Sequence, residues 1–425
     1  MFNKKQCLPV RDKTKMKSLR IAFLHPDLGI GGAERLVVDA VVELMNKGHE
    51  VTIFTSRYDL SHCLEKTRNS MLKIEIAGNF VPHSLAGRFR VPCAIARMIL
   101  MTLAMKRASR PYDVIFCDLV PHVIPLFRLV SKARILFYCH YPDFLLAPQK
   151  NGLYRIYRIP INGLETFGMR FAHRILVNSV FTAETFQRSF PHFSGGQPEV
   201  LYPGIDIPQF LTPEDNPLTF SALTDPGCFN FLSINRYDPG KNLSLALEAM
   251  AALRGMLSNK TFQRLRLIMA GACDERLPEQ RHTLNYLQAY AQQLNLQDQV
   301  VFFSSIPDNE RIRLLKGCDG MIYTSTNEHF GIGIIEAMAS GKPVVAVNRG
   351  GPVETILNGK TGFLCDPTPS AFARAMKDIV EDPVKAADMG TAAQKRAVKL
   401  FSMPVFGEHL ENIISSLVNG GTGRV

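Results

Sequence analysis

Two doubly wound α/β domains facing each other across a cleft are predicted by three observations. Apolar strand-like runs alternate with stretches of helical periodicity along most of the chain. The alternation fades once, where Pro203, Pro208, Pro213, Pro217 and Pro226 gather. The length, 425 residues, exceeds one ordinary core but suits two domains of roughly 200 residues each.

A basic arm, residues 1–18, comes first, with Lys4, Lys5, Arg11, Lys13, Lys15 and Lys17 and without the apolar core of a secretory signal. The N-terminal domain, residues 19–205, opens on a strand at 19–24. It turns through Gly29, Gly31 and Gly32 into a helix carrying Leu36, Val37, Ala40, Val41 and Leu44. Gly48 closes that helix, and a second strand follows at 51–55. Strand, glycine turn, helix, strand is a Rossmann-like unit with a phosphate-compatible turn. Further strands are expected at 114–117, 135–138 and 175–177.

Residues 206–228 are the expected linker. The C-terminal domain, residues 229–400, restarts the alternation, with strands at 229–234, 265–270, 300–303, 321–323 and 344–347. Helices are expected at 243–253, 283–294 and 331–339. The wholly apolar 344–347 suits a strand buried on both faces of a parallel sheet. The last segment, 401–425, holds a helix at about 404–417 without a strand partner, which is expected to cross back onto the N-terminal domain.

The composition, 46% hydrophobic and 20% charged, is that of a folded soluble protein. A net charge of +11 favours acidic partners: phosphates, nucleic acid or an anionic membrane surface. No nucleic-acid motif and no interleaving of aromatic with basic residues supports the second. The nine cysteines form no CxxC pair, which suits thiols in a reducing compartment rather than disulfides or zinc. The longest apolar stretch, 91–105, is interrupted by Arg97 and is too short to span a bilayer. It reads equally as an interfacial helix or as a core helix with basic ends.

Chemistry concentrates at four places. Glu328 follows a strand, Glu336 lies in the next helix, and Phe330, Gly331, Ile332 and Gly333 stand between them. Unpaired N–H groups at that helix start favour an anion, while the two carboxylates suit sugar hydroxyls. Eight helical residues rise about 12 Å, beyond the roughly 5–9.5 Å of glycosidase carboxylates, so gripping fits better than hydrolysis. Arg236 and Lys241 flank a Pro-Gly turn at a strand end, where two cations can reach one diphosphate. Gly31 and Gly32 form the third place; their spacing is not GxGxxG, and no acid ends the second strand, which disfavours a nicotinamide dinucleotide. His140 and Tyr141, at another strand end, are the fourth.

Taken together, the Glu328-to-Val344 run resembles the E-x7-E signature of the retaining GT-B glycosyltransferases of the group-4 family. Arg236 and Lys241 match that family's diphosphate-binding pair, Gly31-Gly32-Ala33 its glycine loop, and His140 its strand-end histidine. Within the family, HPDLGIGGAERLVVDA, LFYCHYPDFLL, LSINRYDPGKNLSLALEA and NEHFGIGIIEAMASGKPVVAVNRGGPVETI are similar to the mannosyltransferases of dolichol-linked oligosaccharide assembly. The resemblance implies retaining transfer of the second and third mannoses, in alpha-1,3 then alpha-1,6 linkage, from GDP-mannose to a Man-GlcNAc2-diphosphodolichol acceptor. It implies work for protein N-glycosylation, on the cytosolic face of the endoplasmic reticulum membrane, with other enzymes of the pathway as candidate partners and no metal cofactor.

On this basis Glu328, His140, Arg236 and Lys241 are the expected catalytic residues. Gly31, Gly32 and the span from Phe330 to Gly333 join them with Glu336 around the donor. His140, Tyr141, Lys150, Arg155 and Arg158 are expected at the acceptor. A group-4 transferase of GlcNAc from UDP-GlcNAc to a lipid acceptor is the nearest alternative. A non-catalytic basic protein bound to membrane or nucleic acid is the more distant one.

Overall fold

A computed structural model describes residues 17–60, 63–68, 71–85, 89–146, 152–211, 227–273 and 277–420. The lysines and arginine of the arm up to Lys15, and Lys150, lie outside the described residues. The strands, in chain order, are β1 (Arg20–Leu24), β2 (Glu50–Thr55), β3 (Lys73–Ile76), β4 (Val114–Asp118), β5 (Arg134–Cys139), β6 (Arg174–Val177) and β7 (Glu199–Val200), then β8 (Phe229–Ile234), β9 (Leu265–Gly271), β10 (Val300–Ser304), β11 (Gly320–Tyr323), β12 (Val344–Val347) and β13 (Gly362–Cys365). They form two sheets, ordered β3-β2-β1-β4-β5-β6-β7 and β10-β9-β8-β11-β12-β13. Every pairing within them is parallel, for example Ile21 opposite both Val51 and Val114.

Burial on both faces follows from the pleat, which sends alternate side chains to opposite sides. Ile21 and Phe23 of β1 enter one apolar cluster, Ala22 and Leu24 another. Val345 and Val347 of β12 enter one cluster of the second domain, Val344 and Ala346 the other. Both domains are therefore helix–sheet–helix layers, and the strand order of the first reverses beside β1. At such a switch the loops after neighbouring strands diverge and leave a crevice.

β3, β7 and β13 were not expected. All three are short strands at a sheet edge: β3 reads KIEI and β7 is two residues long, while β13, GFLC, is apolar but only four residues long. The linker also requires correction at its start. Ile205, Ile207 and Phe210 are buried in the second domain's core, and 208–211 is a helical turn. Pro208 opens that turn, where its fixed φ suits the first helical position. Residues 212–226 lie outside the described residues.

The terminal helix Met403–Asn419 leaves the second domain beside the first crossing, with Met403 N–H donating to Ile205 O at 3.0 Å. Its Phe406, Leu410, Ile413, Ile414 and Leu417 share a cluster with Val37 and Val41 of the first domain. Full burial of each such side chain contributes on the order of 1.5–3 kcal/mol, enough to make the helix a fixed part of that domain.

The 91–105 region is the helix Arg90–Lys106, with Cys93, Met98, Met101 and Met105 buried and Ile99 and Leu103 half-exposed. Among the described residues no helix is long and apolar enough to cross a membrane.

Candidate active site

The end of β8 places the first functional group. Tyr237, buried, reaches back with its hydroxyl 2.8 Å from Met269 O and 2.9 Å from Phe303 O, anchoring the loop that follows the strand. Asp238 accepts from Gly240 N–H at 2.9 Å, and Asn242 closes the turn at φ 49°. This tight loop leaves Arg236 exposed and turns Lys241 inward. Thr324 holds the backbone there by donating to Lys241 O at 2.9 Å.

Lys241 Nζ lies 2.8 Å from Glu328 Oε2, and Tyr323 donates its hydroxyl to the same oxygen. Burial opposes ionisation of Glu328, but Lys241 and Tyr323 outweigh it and hold the carboxyl below its ordinary value. It is therefore an anion, with Oε1 left to accept from hydroxyl groups. Two glycines press the loop into place. A Cβ on Gly350, at φ +68°, would stand 2.4 Å from Glu328 O, and one on Gly351 2.5 Å from Phe330 Cα. Gly331, at φ +89°, opens the helix Ile332–Ala339, whose first N–H groups lack helical partners. Phe330 itself is buried against Tyr202, ring centroids 5.6 Å apart, so only its backbone is available to a ligand.

Glu336, 5% exposed, is held from both domains. Its Oε1 accepts from Arg35 Nη1 at 3.2 Å, and Oε2 pairs with Arg311. Arg35 stands on the helix Gly32–Asn46, which begins at Gly31-Gly32, so the glycine loop and the second carboxylate face each other directly. A cleft of about 590 Å³ is bounded by Gly31, Gly32, Arg236, Lys241, Glu328, Gly331, Gly333 and Glu336, with His140 on the first-domain side.

His140 ends β5 and is backed by a buried chain of charges. Its Nε2 lies 2.9 Å from Asp118 Oδ1; the other oxygen, Oδ2, accepts from His25 Nδ1 at 2.7 Å, and His25 Nε2 stands 3.8 Å from Glu34. Burial opposes charge on His25, but Asp118 and Glu34 overcome it and raise the ring to about 9. Asp118, buried likewise, is held down at about 2 by His140 and His25. The neighbouring Tyr141 stacks on His329 of the second domain, centroids 3.7 Å apart and planes 8° from parallel.

The structure thus brings together the expected donor residues with His140 and Tyr141. It does not bring Arg155 or Arg158, expected at the acceptor, to them, and Lys150 lies outside the described residues. Arg158 is buried and neutralised by Asp143, Nη2 to Oδ2 2.7 Å, and Arg155 is exposed on the helix Leu153–Met169. Nearness in sequence misled here: Arg155 and Arg158 stand three residues apart on one helix, but packing gives Arg158 to Asp143 while Arg155 stays in solvent. Residues not singled out beforehand are Tyr323, Arg35, Arg311 and Asp118. Only Asp118, an acid ending an apolar strand, left a signal that could have been used.

A family model described as Glycosyltransferase Family 4 matches residues 30–209, and one described as Glycosyl transferases group 1 matches residues 220–396. The alpha-1,3/1,6-mannosyltransferase ALG2 of Mus musculus is 41% identical over 415 residues, covering 96% of this chain and 99% of the relative. The chain belongs to the alpha-1,3/1,6-mannosyltransferase family. The member from Saccharomyces cerevisiae is 36% identical over 390 residues, 84% of this chain and 76% of the relative.

Among solved structures, Anabaena HepE in complex with UDP and glucose matches this mannosyltransferase with a TM-score of 0.70 at 23% identity, over 94% of this chain and 100% of that one. WaaG, a glycosyltransferase involved in lipopolysaccharide biosynthesis, matches with a TM-score of 0.65 at 16% identity, over 93% and 99%. At such identities the likeness is one of fold, and the fold is GT-B.

Proposed function

We propose that this mannosyltransferase of lipid-linked oligosaccharide assembly takes GDP-mannose as donor and Man-GlcNAc2-diphosphodolichol as acceptor, on the cytosolic face of the endoplasmic reticulum membrane. The observation that carries the reading is the Lys241–Glu328 pair, 2.8 Å apart, beside the open helix start at Gly331 and across the cleft from Gly31 and Gly32. One cation, one ionised carboxylate and a row of free N–H groups are what a sugar diphosphate needs on three sides.

In this reading the N–H groups from Phe330 to Gly333, with Arg236 and Lys241, carry the diphosphate. Lys241 has three N–H bonds and spends one on Glu328, leaving others for phosphate oxygen. Glu328 grips the mannose hydroxyls. Glu336 grips the ribose, since a carboxylate with two arginine contacts still has lone pairs to accept from hydroxyls. As the glycosidic bond breaks, negative charge grows on the leaving diphosphate. A cation about 4 Å away stabilises it by roughly 4 kcal/mol at an effective dielectric near 20, before desolvation, and fixed cations of this kind usually dominate catalysis. The same cations make transfer independent of added metal.

The acceptor hydroxyl approaches from the first domain beside His140 and Tyr141. Retention then follows from attack on the face the diphosphate leaves, with a phosphate oxygen taking the proton. The decisive assay incubates the protein with GDP-mannose and, separately, UDP-GlcNAc, in EDTA, with the diphospholipid acceptor in detergent. Two hexose increments from GDP-mannose alone are expected by mass spectrometry. Transfer from UDP-GlcNAc instead would discard the donor, and a requirement for added metal would discard the metal-free mechanism.

A further inference from the structure

Behind His140 the first domain encloses a second cavity of about 510 Å³, which shares Ile30, Leu119 and His140 with the cleft. Arg97 lines it from the helix Arg90–Lys106 and is only 2% exposed. Its Nε has no hydrogen-bond partner among the described residues, and its side chain makes one long hydrogen bond, from Nη1 to Ser56 Oγ at 3.4 Å. Burial and the neighbouring Arg57 both work against its charge, and Asp27 only partly offsets them. Arg90 lines the same cavity from an exposed position. His83, also on the wall, is depressed by its burial and then by Arg97, Arg57 and Arg90, with Asp27 the one carboxylate opposing them.

A buried guanidinium with no carboxylate in hydrogen-bond contact is a costly arrangement, and a methionine of similar shape would remove the cost. Surface cations carry no such implication; a buried, unpaired one lining a cavity asks for an anion. Glu165 lines the cavity from another helix, is 2% exposed, and leaves its Oε2 without a partner among the described residues. Burial lifts it to about 7, so it exchanges hydrogen bonds with hydroxyl or amide groups more readily than it seeks a cation. The same lining carries Asp27, Glu34 and Asp143, of which Glu34 stands beside His25 and Asp143 is paired with Arg158; the cationic face of the cavity is Arg90 and Arg97, and His140 is shared with the cleft.

We propose that this cavity receives the phosphate-ester end of the acceptor, with Arg97 and Arg90 as its anion ligands in place of Arg155 and Arg158. The inference rests on the diphospholipid acceptor proposed above. The guanidinium plane suits two phosphate oxygens at once, and an anion there holds the acceptor with its sugar end towards His140.

The test begins with binding. Inorganic pyrophosphate is titrated calorimetrically into protein saturated with GDP, so that the donor site is filled. Wild-type protein is expected to bind it, R97M to bind at least about tenfold more weakly, and R90Q, at an exposed position where folding is not at stake, severalfold more weakly. Without anion, R97M should unfold at no lower temperature than wild type, because the change removes an unpaired buried charge. In turnover, the ratio of kcat/KM for the diphospholipid acceptor over the same trisaccharide as a phosphate-free alkyl glycoside should fall about tenfold in both variants.

Absence of pyrophosphate binding to the GDP complex, or an equal fall with both acceptors, would overturn the assignment. So would an effect confined to binding of phosphatidylserine vesicles with acceptor preference intact, which would make the cavity a headgroup site. Failure of mannose transfer alongside Arg97-dependent pyrophosphate binding would instead sink the donor reading and leave the anion site standing.

Discussion

The two walls of the cleft are built on different plans. The second-domain wall is shaped by backbone: Lys241 follows β8, Glu328 follows β11, and Gly350 and Gly351 let the chain close on Glu328 and Phe330 beside Gly331. The first-domain wall is assembled from a distance. His140 is backed by Asp118 from β4 and His25 from β1, and the cavity behind it is lined by a helix, Arg90–Lys106, that belongs to none of those strands. A diphosphate can be held by one strand-end loop and one helix start, whereas orienting a histidine takes buried charge from several strands. The difference teaches that the donor wall depends on backbone shape and the acceptor wall on buried electrostatics.

The sharpest way to break that comparison is at the donor wall. Lys241→Ala removes the cation nearest Glu328 and is expected to lower turnover roughly 10²–10³-fold, read from initial rates at saturating donor, with the unfolding transition little changed. Near-normal rates would remove Lys241 from the mechanism. It would also leave Glu328 to Tyr323 alone, raising the carboxyl towards its ordinary value.

On the acceptor wall the expected signature is a pH dependence of stability. His25 titrates at about 9 when folded against 6.5 as a free side chain, so its contribution is complete below about pH 6.5 and is lost as pH rises through 9. The shift corresponds to roughly 3 kcal/mol as an upper limit. Urea unfolding of wild type should therefore lose stability between pH 6 and 9.5, and H25Q should be less stable at pH 6 with a flatter profile. Parallel profiles for the two proteins would mean that the His25–Asp118 pair is not charged. Asp118 works in the opposite direction: held at about 2, its stabilisation is present above about pH 4 and lost as pH falls towards 2.

The smallest effect is expected where the walls meet. Arg35 is partly exposed and pairs across the cleft at 3.2 Å with Glu336, which is buried but keeps Arg311 as a second partner, so the loss is expected near the roughly 0.2–1 kcal/mol of exposed pairs. R35M should change the unfolding midpoint slightly and the KM for donor at most severalfold. A large loss of turnover would show that Arg35 touches the substrate rather than the neighbouring domain alone.

Much of this was legible beforehand. The fold was, because parallel strands buried on both faces write themselves as short apolar runs such as 229–234 and 344–347, which β8 and β12 match residue for residue. The edge strand β3 was not legible, since it reads KIEI and is half solvated, whereas the apolar edge strand β10 was. Arg236, Lys241, Glu328, Glu336 and the glycines stood out because strand ends and helix starts are visible in sequence and ligands gather there. Arg158 was misjudged because its partner Asp143, fifteen residues earlier, meets it only once the intervening chain has folded.

By itself, then, the sequence determined the two-domain alternation, the family and the motif residues of the second-domain wall, each marked by a short run of residues or by apolar periodicity. Only the tertiary structure decided that Glu336 would be shared between Arg35 and Arg311, that His140 would stand on Asp118 and His25, and that Arg97 would be buried with no carboxylate hydrogen-bonded to it among the described residues. Those are contacts between elements tens to hundreds of residues apart, and a charge's environment is set by what surrounds it in space, which no local pattern of residues records.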